Sequence, residues 1–154
     1  MIRRVLPRTY FEYSVRGPLV KNAVVGEVLG TDPTHVISGG ARRGVKTALA
    51  ATAPFSASVW LLSTEGVVES SDITVHARWL LAKIGEGVAA LRPHVREWSA
   101  EQRFSVFCDT EGHGGRWLEP DVLRAIGSLD VPLYIDLPVA HGVPAQDRDE
   151  SGEG

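Results

Sequence analysis

The stretch from Arg103 to Ile126 constrains the chain more than any other, because a strand pattern, a polar turn and a helix start follow one another without a gap. Phe104, Val106 and Cys108 alternate with Ser105, Phe107 and Asp109, the period of two that sends successive side chains to opposite faces of a sheet. The pattern predicts a central strand. Beyond it stand Asp109, Glu111 and His113, the Gly114-Gly115 pair, Arg116 and Trp117. Glu119-Pro120 then opens a helix carrying Val122, Leu123 and Ile126, with proline in the first turn, where its missing N–H costs nothing. This turn is the best candidate for a functional site. No catalytic signature, metal motif or complete phosphate-binding loop accompanies it anywhere in the 154 residues.

Composition narrows the class. A chain of 154 residues with 44% hydrophobic and 23% charged side chains can bury one continuous core without disulfides or a metal. A net charge of −3 argues against nucleic-acid binding through a basic surface. No apolar run approaches the roughly 20 residues of a membrane span, and Met1 to Pro7 carries two arginines with no signal-peptide segment behind them. Cys108 is the single cysteine, so no disulfide can form within the chain, and a reducing cytoplasm fits best.

Around the central stretch, Tyr10 to Arg16 alternates as a half-buried strand with Phe11, Tyr13 and Val15 on one face. Gly17-Pro18 ends it. Val20, Val24, Val25, Val28 and Leu29 recur at helical spacing up to Gly30, a natural helix terminator. Thr31-Asp32-Pro33-Thr34 is turn chemistry, followed by a short extended piece, His35 to Ser38, and a basic loop, Gly39 to Lys46. Ala57 to Ser63 reads as a buried strand. Ser70, Ser71 and Asp72 offer capping oxygens to a helix with Ile73, Ala77, Leu80 and Ile84 on one face. Gly85-Glu86-Gly87 and Pro93 are expected to divide that region into two helical segments. Val131 to Val139 closes the fold as an alternating strand.

The reading is α+β: a mostly antiparallel sheet of about four strands covered on one face by helices, as alternating outer strands with one solvated face require. Residues 1–8 form an arm, residues 9–140 a single domain, and residues 141–154 a disordered acidic tail. Phe104, Val106, Val59, Leu61, Ile135 and Ile84 are expected to share one core.

Several fragments, taken in order, resemble the bacterial domain-of-unknown-function family 4279. They are the aromatic first strand, Leu29-Gly30-Thr31-Asp32-Pro33-Thr34, Gly39, Trp60-Leu61-Leu62-Ser63, His76 with Leu80 and Leu81, Gly114-Gly115, and Leu133-Tyr134-Ile135-Asp136. The closing strand departs from the family's pattern in running into Leu137-Pro138-Val139. The resemblance spans roughly residues 9–137 and implies a small cytoplasmic α+β domain. It brings no activity, substrate or catalytic residue.

Asp109, Glu111 and His113 stand at i, i+2 and i+4, so a persisting strand would point all three to one side as cation ligands. The adjacent glycines favour a turn of solvated residues instead. Gly39 to Thr47 has the glycine interval of a phosphate loop, but Val45 intrudes before the lysine, leaving at most a looser anion site on Arg42, Arg43 and Lys46. His76 lies on the apolar helix face and reads as a core histidine rather than a base; His35, His94 and His141 have no assigned role. Trp60 belongs in the core, whereas Trp117 is the tryptophan placed to anchor a partner.

The functional expectation is therefore a non-enzymatic, protein-binding module without cofactor, acting through the Asp109, Glu111, His113, Arg116 and Trp117 turn. The alternative is a small-ligand or anion-binding domain, enzymatic or not, built on Arg42, Arg43, Lys46 and the acidic turn. Neither nucleic acid nor a membrane is expected as a partner; self-association is left open. Because residues 142–154 offer almost no apolar surface, deleting them should leave the melting temperature unchanged in a thermal unfolding experiment.

Overall fold

A computed structural model describes residues 8–39, 57–109 and 116–136. The elements run β1 (Thr9–Gly17), α1 (Asn22–Leu29), β2 (His35–Ile37), β3 (Ser58–Ser63), α2 (Ile73–Glu97), β4 (Glu101–Cys108), α3 (Pro120–Ser128) and β5 (Leu133–Asp136). Within the described residues the strands form one open sheet in the order β2-β3-β1-β4-β5. The α+β class and the mostly antiparallel sheet stand, with five strands. His35 to Ser38 supplies the extra one, pairing with β3 at one edge. β1 occupies the middle and β4 lies beside it.

β1 runs antiparallel to β3 and β4, whereas β5 runs parallel to β4. The parallel pair follows from connectivity: α3 carries the chain back to the end of the sheet where β4 began, so β5 leaves in the same direction. Alternation within β5 could not reveal this, since both pairings have a period of two.

Phe11, Tyr13 and Val15 face the helices from β1, joined by Phe104, Val106 and Cys108 from β4. Tyr13 is the aromatic hub, with ring centroids 5.2 Å from Phe104 and 6.3 Å from Trp60. Ile73, Ala77, Leu80, Ile84, Val88 and Leu91 of α2 answer them, spaced three or four residues apart as one helical face must be.

Four expectations need correction. On β3 it is Trp60 and Leu62 that join this core, since Tyr13 pairs with Leu62 and Val15 with Trp60. Val59 and Leu61 are buried on the opposite face. All six residues of β3 are buried, so its hydrophobic pattern carried no phase. Ile135 does share the helical face with Val106 but lies on the edge strand and is 56% exposed. The long helical region is one helix, α2, continuous through Gly85, Gly87 and Pro93. Residues 1–7, 40–56 and 137–154 lie outside the described residues, and with them the expected arm up to Arg8, the expected basic loop beyond Gly39, the end of the expected last strand and the expected tail from 141 to 154.

Gly87 shows why the helix contains glycine. A Cβ there would meet Leu29 Cα and Val28 O, both at 2.9 Å, so the missing side chain lets the end of α1 lie directly on α2. Gly85 has nothing within 4 Å of the same position. Alanine at the two sites should therefore act with opposite sign. Gly85→Ala should gain up to about 1 kcal/mol from helix propensity, and Gly87→Ala should lose about 1–3 kcal/mol by forcing α1 away. Urea unfolding of both variants checks this, and equal effects would contradict the close approach.

Candidate functional site

The polar turn is entered from β4. At its end the Asp109 amide donates to the Arg8 carbonyl at 2.8 Å, tying the strand end to the start of β1. Residues 110–115, including Glu111 and His113, lie outside the described residues, as do Arg42, Arg43 and Lys46. On the far side of the turn stand Arg116 and Trp117, beside a local network that holds Trp117.

Asp72 caps α2, its side chain accepting from the Thr74 amide at 2.8 Å. The Thr74 hydroxyl accepts in turn from the Glu119 amide at 3.3 Å, which brings the start of α3 alongside the start of α2. Pro120 occupies the first helical position, and the Glu119 carbonyl accepts from the Val122 and Leu123 amides. Arg78 and Asp121 close the junction with two hydrogen bonds of 3.2 Å, and this bonding holds the Asp121 carboxyl below its ordinary range. Trp117 is left outside. It is 71% exposed, and its Nε1 donates to Glu119 Oε1 at 3.1 Å. With Arg116, Ser71, Asp72 and Ile73 it lines a groove of about 210 Å³.

Of the residues singled out from sequence, the structure thus brings Arg116 and Trp117 together, and adds the α2 start as their second wall. Asp109 belongs to the end of the sheet. Among the described residues no group of three or more His, Cys, Asp or Glu is placed to hold a metal ion. No described helix is long and apolar enough to cross a membrane.

His76 is fully buried and both its nitrogens are engaged. Nε2 lies 2.8 Å from the Ser70 carbonyl, which can only accept, so in the neutral ring Nε2 carries the proton. Nδ1 then accepts from the Thr64 hydroxyl at 2.6 Å, and that oxygen accepts from the Phe11 amide at 2.8 Å. The Thr64 amide returns a bond to the Phe11 carbonyl at 3.0 Å. Cys108 is buried beside Thr9, their sulfur and hydroxyl 3.9 Å apart.

The model of a family described as "Domain of unknown function (DUF4279)" matches residues 9–140. The chain belongs to DUF4279. No curated protein and no solved structure gave a match. The fragments that carried the resemblance are largely architectural in this DUF4279 domain. Gly30 ends α1 in the left-handed conformation at φ 67°. The Thr34 hydroxyl donates to the Leu61 carbonyl at 3.1 Å and accepts from the Ser63 amide at 2.9 Å, extending the β3 edge beyond β2.

Sequence reasoning missed the face of the sheet opposite the helices. There Glu12, on the central strand, sits between Ser63 and Ser105. Burial pushes its carboxyl above the usual range, partly offset by a hydrogen bond from Ser63. Beside it Tyr10 and Phe107 stack at 4.9 Å beneath Arg8, and burial pushes the Tyr10 hydroxyl up to about 12. The alternation of β1 put Glu12 off the core, but only its middle place between two strands makes it half-buried. The Thr64 chain is the sharpest structural test: Thr64→Val keeps the shape while stranding the Phe11 N–H and the His76 ring. It should cost about 1–3 kcal/mol for each group left unpaired, read by urea unfolding.

Proposed function

We propose that this DUF4279 domain is a protein-interaction module that docks its partner on the surface made by Trp117, Arg116 and the first turn of α2. The supporting observation is the outward indole, fixed by Glu119 and flanked by a shallow groove. A large apolar ring that contributes little to its own core, held in one orientation, has the character of an interface anchor. Arg116 beside it makes no ion pair among the described residues. The partner surface accordingly presents an apolar side chain to the indole and a carboxylate to Arg116. Occupation of both His76 nitrogens favours a binding role over a catalytic one. The free, buried Cys108 fits a reducing compartment, and we take the module to act in the cytoplasm.

The test compares wild type with Trp117→Ala. A partner captured from lysate by wild type should bind the variant more weakly by about 2 kcal/mol or more, as for an anchor residue. The same change should cost the fold well under the roughly 3–5 kcal/mol of a deleted core aromatic. Titration calorimetry and thermal unfolding give the two numbers. Equal affinity for both proteins would overturn the proposal, as would a large fall in stability.

A further inference from the structure

β5 is the last strand of the sheet, and among the described residues no strand pairs with its outer side. The register tells which backbone groups stand there. Leu133 lies opposite Phe104, and the Phe104 amide donates to the Pro132 carbonyl at 2.9 Å. In a parallel ladder that bond directs the groups of Pro132, Tyr134 and Asp136 toward β4 and turns the N–H and C=O of Leu133 and Ile135 outward. An outward row of this kind is a template for another strand. Large apolar side chains flank it on both faces, with Tyr134 51% and Ile135 56% exposed.

α3 widens this apolar edge. Val122 and Ile126 are buried in the core, and Asp121 turns toward Arg78 of α2. Leu123 follows Asp121 by about 200° around the helix, and so stands exposed on the opposite flank. Because α2 packs over β1 and β4, that flank looks toward β5.

Charge then identifies the occupant. Arg103, Tyr134 and Asp136 share the face away from the helices, since Phe104 and Leu133 face the core. The Arg103 guanidinium lies over the Tyr134 ring, 5.2 Å from its centroid, and so leans toward the edge. Neither Arg103 nor Asp136 makes an ion pair among the described residues. Arg103 is level with Pro132, just before β5, whereas Asp136 is its last residue. Positive and negative charge thus stand at opposite ends of the strand, which makes it complementary to its own reverse.

We propose that two copies of this chain pair edge to edge through β5, antiparallel about a two-fold axis perpendicular to the sheet, with Tyr134 opposite Tyr134. Leu133 of each copy then exchanges both backbone hydrogen bonds with Ile135 of the other, and Asp136 of each meets Arg103 of the other across Pro132. Both copies keep their helices on the same side, so Leu123, Leu133 and Ile135 cover one another at the seam. The pairing does not depend on the Trp117 surface, nor that surface on it.

Sedimentation equilibrium of the full chain should show the mass rising with concentration from that of one 16.7 kDa chain toward twice that value. The Leu133 and Ile135 amides should exchange with solvent more slowly as the dimer forms. Ile135→Pro removes an N–H that the β4 ladder does not use, a change that an edge strand tolerates. It should weaken association about tenfold or more, because each copy loses a bond, while a dispersed NMR spectrum shows the fold retained. Arg103→Glu and Asp136→Arg should each weaken association several-fold, and the double variant should restore it, since the exchanged charges pair again. A chain that stays monomeric would overturn the proposal. Protection of the same two amides in that monomer would then assign the edge to residues after Asp136, and their free exchange would leave it to a strand of another protein. A dimer unaffected by Ile135→Pro, or not rescued by the double charge exchange, would overturn the proposal equally.

Discussion

The buried hydrogen-bond chain from Phe11 through Thr64 and His76 to Ser70 is the constraint on which the arrangement of the domain rests. It joins the middle strand, the residue just after β3 and the first turn of the long helix through bonds that are buried at Phe11, Thr64 and His76 and partly buried at Ser70. Hydrophobic contact alone would let α2 slide along the sheet, because apolar burial has no direction. A neutral imidazole with one donor and one acceptor fixes the register, since a shift of one turn would strand both nitrogens. The consequence reaches the surface. With α2 held there, Asp72 and Thr74 are placed to receive Glu119, and Glu119 in turn holds Trp117 outward.

That chain also explains what the family pattern records. His76, Thr34, Gly30 and the Trp60-Leu61-Leu62-Ser63 strand each meet a backbone demand: an unpaired carbonyl, a left-handed residue, a strand edge. Membership of DUF4279 therefore reports a fold through residues that build it. Chemistry has to be sought in what the architecture leaves unspent. Trp117 and Arg116 are such residues on the surface, and Asn22 Oδ1 and Trp60 Nε1 are buried polar atoms without a hydrogen-bond partner among the described residues.

How far the sequence could be read depended on whether a physical signal was local. Gly30 and Pro120 mark helix ends by their own conformational limits, and α1 and α3 end and begin beside them as expected. β1 alternates because the described helices pack on only one of its faces, so its core residues were legible. β3 is buried on both faces, and the phase that separates Trp60 from Leu61 came only from pairing with β1. Gly87 is a helix breaker by propensity, but its reason is the backbone of α1, more than fifty residues earlier. Trp117 stood out in sequence; the second wall of its groove, from Ser71 to Ile73, did not, because contacts distant in sequence, Thr74 with Glu119 and Arg78 with Asp121, bring the two helix starts together.

On the proposed docking surface, the hydrogen bond from Trp117 to Glu119 would bear on affinity in a way that exposure alone does not. A free surface tryptophan samples several rotamers, and docking must select one of them, at a cost of about 0.5–1.5 kcal/mol for an immobilised side chain. With Nε1 already bonded to Glu119 and Glu119 tied to Thr74, part of that ordering is complete before any partner arrives. The backbone beneath it is equally fixed, since Pro120 sets the first helical dihedral and Leu118 packs against the core. The ring thus stands three residues before α3, tied to the helix's N-cap residue Glu119. Such preorganisation raises affinity without adding contact area, and it makes the orientation of the indole, as much as its exposure, part of what a partner would recognise.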